Sequence, residues 1–241
     1  ALQNLSFFVE ELMKWKWGQN KFELMAGVRL NTMPGLDDKY DMRGKVYADP
    51  RGNLAWHFPK FNVGGKPMAI SLNGGIGITT KMPTLNYLYP DKYYSNFICL
   101  AYYDTANPEQ DSKFIVHTYV QDPTNYGLKP AKNKKWEVRL DMDWNDNRLS
   151  VDYFREAMSS GFRYSSTYGV YNYNYYDVSQ MSAGKDYTTL PYEARQVLDG
   201  YQQASNGSRL VKQGIELAFT SQRIHCLRTR VNVTGAWFRT E

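Results

Sequence analysis

A strict alternation of apolar and polar residues limits the folds open to this chain more than any other feature. Between Trp136 and Trp144 every second residue is large and apolar, and the four residues between them are charged. Because successive side chains of a β-strand point to opposite faces, this period of two predicts a strand with one apolar and one wet face. Asn145-Asp146-Asn147 then has the composition of a tight turn. The alternation resumes in 148–153, which predicts a hairpin.

The same pattern recurs along the chain and predicts an all-β fold. Clear alternation is found in four further segments, 22–31, 70–79, 211–220 and 227–237. Weaker strands are predicted before Trp17 and at 44–58, 96–103 and 112–121. The sequence therefore predicts an antiparallel up-and-down meander of about ten long strands. We expect 159–207 to be a long loop, with a short helix at Pro191–Gln203 inside it.

Composition narrows the class of protein. Aromatic residues make up 15% of the 241 residues, with 20 Tyr, yet the mean hydropathy is −0.60. This mixture suits strands with one apolar and one polar face, because the hydropathies of the two faces average out over the chain. The net charge of +5 is spread along the chain without a basic block, which argues against a nucleic-acid partner.

The connections between the predicted strands alternate in length. Short turns are predicted at 18–20, 59–66, 104–111, 145–147 and 221–225. Longer loops are predicted at 34–42, 81–95, 122–134 and 159–207. Outer-membrane barrels have short periplasmic turns and long extracellular loops, and their strands need roughly 9–11 residues to cross the bilayer. The meander is therefore predicted to be part of a transmembrane β-barrel.

Four segments, in order, resemble a known family. Lys21–Asn31 (KFELMAGVRLN), Gly74–Pro83 (GGIGITTKMP), 133–153 (NKKWEVRLDMDWNDNRLSVDY) and Arg209–Phe219 (RLVKQGIELAF) are similar to strands of TonB-dependent receptors. The similarity is to the starch-utilisation (SusC-like) type found in Bacteroidetes. It implies part of a barrel of about 22 strands in the bacterial outer membrane, which imports a nutrient with energy supplied through TonB.

The resemblance also carries expectations about domains and partners. No plug domain and no TonB box is recognised, so residues 1–241 are expected to form a single barrel segment resembling the C-terminal half. Contact with the TonB complex is then expected through an N-terminal part outside this sequence. Outer-membrane lipid, a surface lipoprotein and a glycan, peptide or metal chelate are the other expected partners.

The sequence offers little support for catalysis or for a cofactor. His57, His117 and His225 stand apart and lack the spacing of a metal site. Residues 141–152 superficially resemble a calcium loop, but Asp146 occupies the position where glycine is required. No arrangement typical of a catalytic nucleophile occurs. We therefore predict no enzyme activity, no resident metal and no cofactor.

Tyrosines concentrated in the predicted loops are the candidate ligand-binding residues. With neighbouring Ser, Asn and Gly they offer flat apolar area and a hydroxyl, which suits stacking with sugar rings or docking of peptides. The predicted ligand-binding residues are Tyr87, Tyr89, Tyr93, Tyr94, Tyr168, Tyr171, Tyr173, Tyr175 and Tyr176. The alternative is that these rings line the membrane rim or pack on each other.

Two other classes of protein remain open at this point. A soluble carbohydrate-binding β-sandwich would use the same aromatic residues, but it would bury its apolar faces between two sheets. A glycan-degrading enzyme would need two facing carboxyl groups about 5–10 Å apart, and the sequence identifies no such pair.

Overall fold

A computed structural model describes residues 3–241, which are mostly in antiparallel β-strands. Among these residues no helix is long and apolar enough to cross a bilayer. The strands are β1 (Leu5–Trp17), β2 (Asn20–Thr32), β3 (Tyr47–His57), β4 (Phe61–Val63), β5 (Lys66–Lys81), β6 (Tyr93–Tyr102), β7 (Lys113–Gln121), β8 (Ala131–Trp144), β9 (Asn147–Tyr176), β10 (Tyr192–Thr220) and β11 (Asn232–Thr240). The helices are α1 (Leu85–Leu88), α2 (Pro108–Asp111) and two 3-10 turns, Val178–Gln180 and Tyr187–Thr189.

The strands form two sheets. The larger sheet has the order β1-β2-β3-β5-β8-β9-β10-β11, with the short β4 paired to β5. β6 and β7 pair with each other in a separate two-stranded sheet. The all-β, antiparallel prediction is confirmed. The meander was expected to run through 96–103 and 112–121, but these segments form a hairpin inserted between β5 and β8.

The chain divides into two compact units. The first, which we call the strand unit, contains the described residues up to Pro83 together with Tyr126–Arg163 and Asn206–Glu241. The second, which we call the aromatic unit, contains Thr84–Asn125 and Tyr164–Ser205. β9 and β10 each contribute residues to both units.

Register in the strand unit aligns the apolar side chains across neighbouring strands. Leu72 of β5 lies opposite Leu140 of β8, and Leu140 lies opposite Val151 of β9. On the next position of each strand, Ser71 lies opposite Asp141 and Asp141 opposite Ser150. One face of the sheet is therefore apolar and the other polar, as the alternation predicts.

The apolar face is exposed, as a face toward lipid would be. Among the large apolar residues on this face, Ile76 is 70% exposed and Trp136 is 40% exposed. A β-sandwich would bury such residues against a second sheet. Lipid is the solvent that makes this exposure favourable, since a barrel presents its apolar band outward.

Aromatic residues form a row near the short-turn end of this face. Trp15 stacks on Phe22 with 5.4 Å between ring centroids, and Phe22 stacks on Trp56 at 5.7 Å. Trp144, near the same end, donates a hydrogen bond from Nε1 to the Val63 carbonyl at 3.0 Å. Amphipathic rings are enriched at membrane–water interfaces, where the apolar body and the polar N–H are both satisfied.

The tight turn predicted after Trp144 is confirmed. Asn145 and Asp146 both have positive φ, 47° and 62°, in the two-residue connection between β8 and β9. Two central residues with positive φ define the turn that matches the twist of a β-hairpin, and Asn and Asp tolerate this backbone better than most residues.

Two local predictions are wrong in the segment 159–207. Most of it is strand, because β9 continues to Tyr176 and β10 begins at Tyr192, so the loop spans only 177–191. The helix predicted at Pro191–Gln203 is absent, and this segment is the start of β10. Its helix-forming residues Glu193, Ala194 and Arg195 are overridden by pairing in the sheet, since helix propensity is a weak preference.

Candidate functional site

Aromatic rings of the β6–β7 hairpin pack against β9 in the aromatic unit. Phe97 stacks on Tyr173, with 5.2 Å between centroids and 14° between planes. Tyr119 contacts Tyr171 at 5.0 Å and donates a hydrogen bond from its hydroxyl to the Asn172 carbonyl at 2.6 Å. Offset aromatic pairs stabilise a fold by more than the burial of their apolar area alone. These contacts therefore hold the hairpin on β9.

The candidate tyrosines are distributed through the aromatic unit. Their ring contacts are Tyr87 with Tyr164, Tyr93 with Tyr201, and Tyr176 with Tyr187 and Tyr192. Tyr89, Tyr94 and Tyr168 are exposed. The predicted placement of Tyr168, Tyr171, Tyr173, Tyr175 and Tyr176 in a loop is wrong, because all five lie on β9. The same prediction is wrong for Tyr93 and Tyr94, which lie on β6. Packing against other rings accounts for the positions of many of these tyrosines. Tyr173 also lines a cleft.

A small core fixes the 177–191 loop. Buried Leu100 of β6 packs with Met181 and Leu190 of the loop. Asp177 and Asp186 accept hydrogen bonds from the backbone N–H groups of Ser179 and Thr188 at 2.9 and 3.0 Å. These hydrogen bonds lower the pKa of both carboxyl groups below the usual value, so the carboxylates cap their turns at neutral pH.

A cleft of about 380 Å³ lies within the aromatic unit. β9 provides three neighbouring residues of its lining, β10 provides three more and β7 provides one histidine. The lining residues are His117, Asn172, Tyr173, Asn174, Ala194, Arg195 and Gln196. Three carboxamides, an imidazole and a phenol in this lining supply hydrogen-bond donors and acceptors.

The charge of Arg195 in this cleft is compensated. Its guanidinium forms an ion pair with Glu193 at 2.7 Å and lies over the Tyr175 ring, 3.7 Å from the centroid. The hydrogen bond that Arg195 donates to Glu193 raises the pKa of Arg195 above its usual value, so the guanidinium stays charged. The ion pair with Glu193 therefore offsets the positive charge of Arg195.

The polar face of the strand unit carries paired charges. Arg139 bonds Asp141 at 2.8 Å, and Asp141 also accepts hydrogen bonds from Asn73 at 2.8 Å and Ser150 at 2.6 Å. Arg148 bonds Asp143 at 2.8 Å. These two carboxylates, Asp141 and Asp143, have hydrogen-bond donors on their own face, which accounts for them without a bound cation. Within residues 3–241 no group of three or more His, Cys, Asp or Glu side chains is arranged to hold a metal ion.

The predicted ligand-binding residues include Tyr173, which lines the cleft, but not the other polar residues of its lining. Asn172 and Asn174 are nearby in the chain, whereas Arg195 and Gln196 come from the adjacent strand β10. The interleaving of Asn with Tyr in 171–175 is the one sequence signal that pointed to this place, because it puts amides and rings on alternate faces of a strand.

The comparison with known proteins agrees with the observed fold. Residues 2–241 match the family model described as TonB dependent receptor-like, beta-barrel. No curated protein matches the chain. The members of this family are outer-membrane transporters of Gram-negative bacteria that work with TonB. Since the match covers almost the whole sequence, and the sheet has the long strands and exposed apolar face of a membrane barrel, the chain belongs to the TonB-dependent receptors as part of their β-barrel.

Proposed function

We propose that this receptor imports a neutral glycan and that the cleft between Asn172 and Gln196 contacts it during capture. The observation that carries the proposal is the cleft lining, which includes three amide side chains and Tyr173. Each amide has both donors and an acceptor, which matches the alternating donor and acceptor character of sugar hydroxyls. The compensated charge of Arg195 favours a neutral sugar over an acidic one.

Connectivity supports a role in capture from outside the cell. The aromatic unit is made of the 84–125 connection and the outer parts of β9 and β10. In outer-membrane barrels the long connections are extracellular. A ligand bound by these residues would therefore be contacted on the extracellular side.

The resemblance supports a more specific assignment. We place the receptor in the SusC-like, starch-utilisation type, with a surface lipoprotein as a further partner. β1 and β11 each have one neighbour in the sheet. Unpaired backbone groups are costly in lipid, so closure of the barrel requires additional strands. We propose that these strands, and the segment that contacts TonB, are supplied by protein outside residues 1–241.

Binding assays on the purified receptor test the glycan proposal. Neutral oligosaccharides, acidic oligosaccharides and a peptide mixture would be compared by isothermal titration calorimetry in detergent. We expect binding by a neutral oligosaccharide. Gln196→Ala should weaken it about fivefold, and Asn174→Ala combined with Gln196→Ala about 30-fold, since each hydrogen bond contributes about 1 kcal/mol.

A matched control is available on the same strand. Gln202 is exposed on β10, six positions from Gln196, and does not line the cleft. Gln202→Ala should leave glycan affinity unchanged. Binding of peptides but not of any oligosaccharide would overturn the proposal, and so would glycan binding that is insensitive to the double substitution.

A further inference from the structure

The cleft of the aromatic unit has walls from two separate sheets. His117 belongs to β7, whereas Asn172 and Tyr173 belong to β9. Among the described residues β6 and β7 pair only with each other, so no backbone ladder joins β7 to β9 there. Such a ladder would hold two neighbouring strands about 4.8 Å apart. Without one, the distance between these two walls depends on side chains.

Tyr119 of β7 contacts residues of both walls. Its hydroxyl donates a hydrogen bond to the Asn172 carbonyl at 2.6 Å, and its ring centroid lies 5.0 Å from that of Tyr171. On its own strand the same ring lies 4.6 Å from the His117 ring. His117 and Asn172 line the cleft, but Tyr119 does not. Tyr119 therefore links two lining residues from outside the cleft.

The hydrogen bond to the Asn172 carbonyl also restrains Tyr173. This carbonyl belongs to the planar peptide group that joins Asn172 to Tyr173, so holding its oxygen limits rotation of the backbone just before Tyr173. Phe97 of the same hairpin restrains the Tyr173 ring, on which it stacks at 5.2 Å with 14° between planes. The hairpin therefore orients both the backbone and the ring of Tyr173.

The Tyr119 hydroxyl restricts the hairpin more closely than the ring contacts do. Aromatic pairs are favourable over centroid distances of about 4.5–7 Å, so stacking alone would let the hairpin slide along β9. Hydrogen bonds between a hydroxyl and a carbonyl oxygen are confined to about 2.5–3.0 Å and also depend on angle. Loss of the hydroxyl would therefore loosen the register between the two walls while the stacking remained.

We propose that Tyr119 is a positioning residue of the glycan cleft, an inference that rests on the proposed function of that cleft. Tyr119 sets the separation between His117 on one wall and Asn172 on the other, and it does not touch the sugar. Binding groups must be held within about 0.5 Å of their productive positions, so this restraint contributes to affinity. The hairpin inserted between β5 and β8 is then a part of the chain that determines which sugars fit.

Removal of the Tyr119 hydroxyl alone tests this assignment. Tyr119→Phe keeps the ring and its stacking, so the variant should fold as the parent does. Isothermal titration calorimetry of the purified receptor in detergent would use neutral oligosaccharides of glucose, mannose and galactose as probes. We expect the affinity to fall about fivefold, the loss typical of one hydrogen bond. Tyr103→Phe deletes the same atom from an exposed ring after β6 and should bind like the parent.

A coupling measurement separates positioning from a general loosening of the hairpin. Asn174→Ala combined with Gln196→Ala removes ligand contacts on β9 and β10. Since Tyr119 acts by placing such contacts, Tyr119→Phe should weaken binding by less than about twofold in this background. A general loss of stability would weaken binding by the same factor in both backgrounds, because independent effects add.

The outcomes distinguish this inference from the proposed function on which it rests. If the Asn174 and Gln196 double variant binds weakly but Tyr119→Phe binds like the parent, the positioning role alone is wrong. The same holds if Tyr119→Phe costs an equal factor in both backgrounds. If the parent binds no oligosaccharide, or if the double variant binds like the parent, the proposed function of the cleft fails and the role of Tyr119 fails with it.

Discussion

Replacing Leu100 with alanine should loosen the 177–191 loop by about 2–5 kcal/mol of local stability. Leu100 is 0% exposed, and its partners Met181 and Leu190 come from this loop. The substitution removes contacts on which the loop depends and leaves a cavity that a small core cannot readily fill. Hydrogen exchange followed by mass spectrometry should show much faster exchange in peptides covering 177–191.

An exposed leucine of the same unit serves as the control for this experiment. Leu198 lies on β10 and is 69% exposed. Leu198→Ala deletes the same atoms without opening a cavity, so loop exchange should match that of the parent receptor. If Leu100→Ala and Leu198→Ala had the same effect on the loop, the Leu100 core would not be what holds it.

An arginine placed at the centre of the apolar face should destabilise the barrel by about 2–4 kcal/mol. Leu140 lies midway between Trp136 and Trp144 on this face, so Leu140→Arg puts a charge near the middle of the bilayer. The free energy of unfolding in lipid vesicles, obtained from a urea or guanidinium titration of the receptor, measures the cost.

The matching control introduces arginine at the same depth on the polar face. Ser71 lies opposite Asp141, one position from the Leu72–Leu140 pair. Ser71→Arg adds a charge beside a carboxylate in a wet environment, and its cost should stay below about 1 kcal/mol. A larger loss for Ser71→Arg than for Leu140→Arg would mean that the two faces have been assigned the wrong way round.

The faces of the sheet could be predicted from sequence because apolar and polar residues alternate with the period of two that a strand imposes on its faces. The segment 136–153 shows this best, since both strands and their two-residue turn are evident from residue types alone. Strand pairing then follows chain order wherever the connection is short. The family resemblance rests on the same segments, and it agrees with the family match over residues 2–241.

The sequence could not predict which strands pair with each other when they lie far apart in the chain. The segments 96–103 and 112–121 have strand-like composition, but nothing local tells that they pair only with each other while β5 pairs with β8. The outer half of β10 carries helix-forming residues, and its strand state comes from its neighbour in the sheet. Propensity is a local property, whereas sheet membership is not.

The candidate site was predictable only in part for the same reason. Tyr173 was identified because tyrosine is concentrated in 171–176, a signal that composition shows. Asn174 and Gln196 line one cleft although 22 positions separate them, since β9 and β10 are neighbours in the sheet. A single polar residue on a long strand cannot be recognised as part of a site from the sequence, because the strands that bring the site together must first be paired.

The uninterrupted length of β9 and β10 ties ligand recognition to the membrane. These strands have 30 and 29 residues, and they run from the lipid-exposed sheet into the aromatic unit without an intervening loop. A strand that slips by one residue sends every side chain to the opposite face. In a strand without a bulge, the residues of β9 that face lipid therefore fix which later residues of β9 share that face. One inserted residue near Gly161 that shifts the register, and is not absorbed as a bulge, would exchange the two faces from Tyr164 to Tyr176, so an insertion could change which side chains meet a ligand.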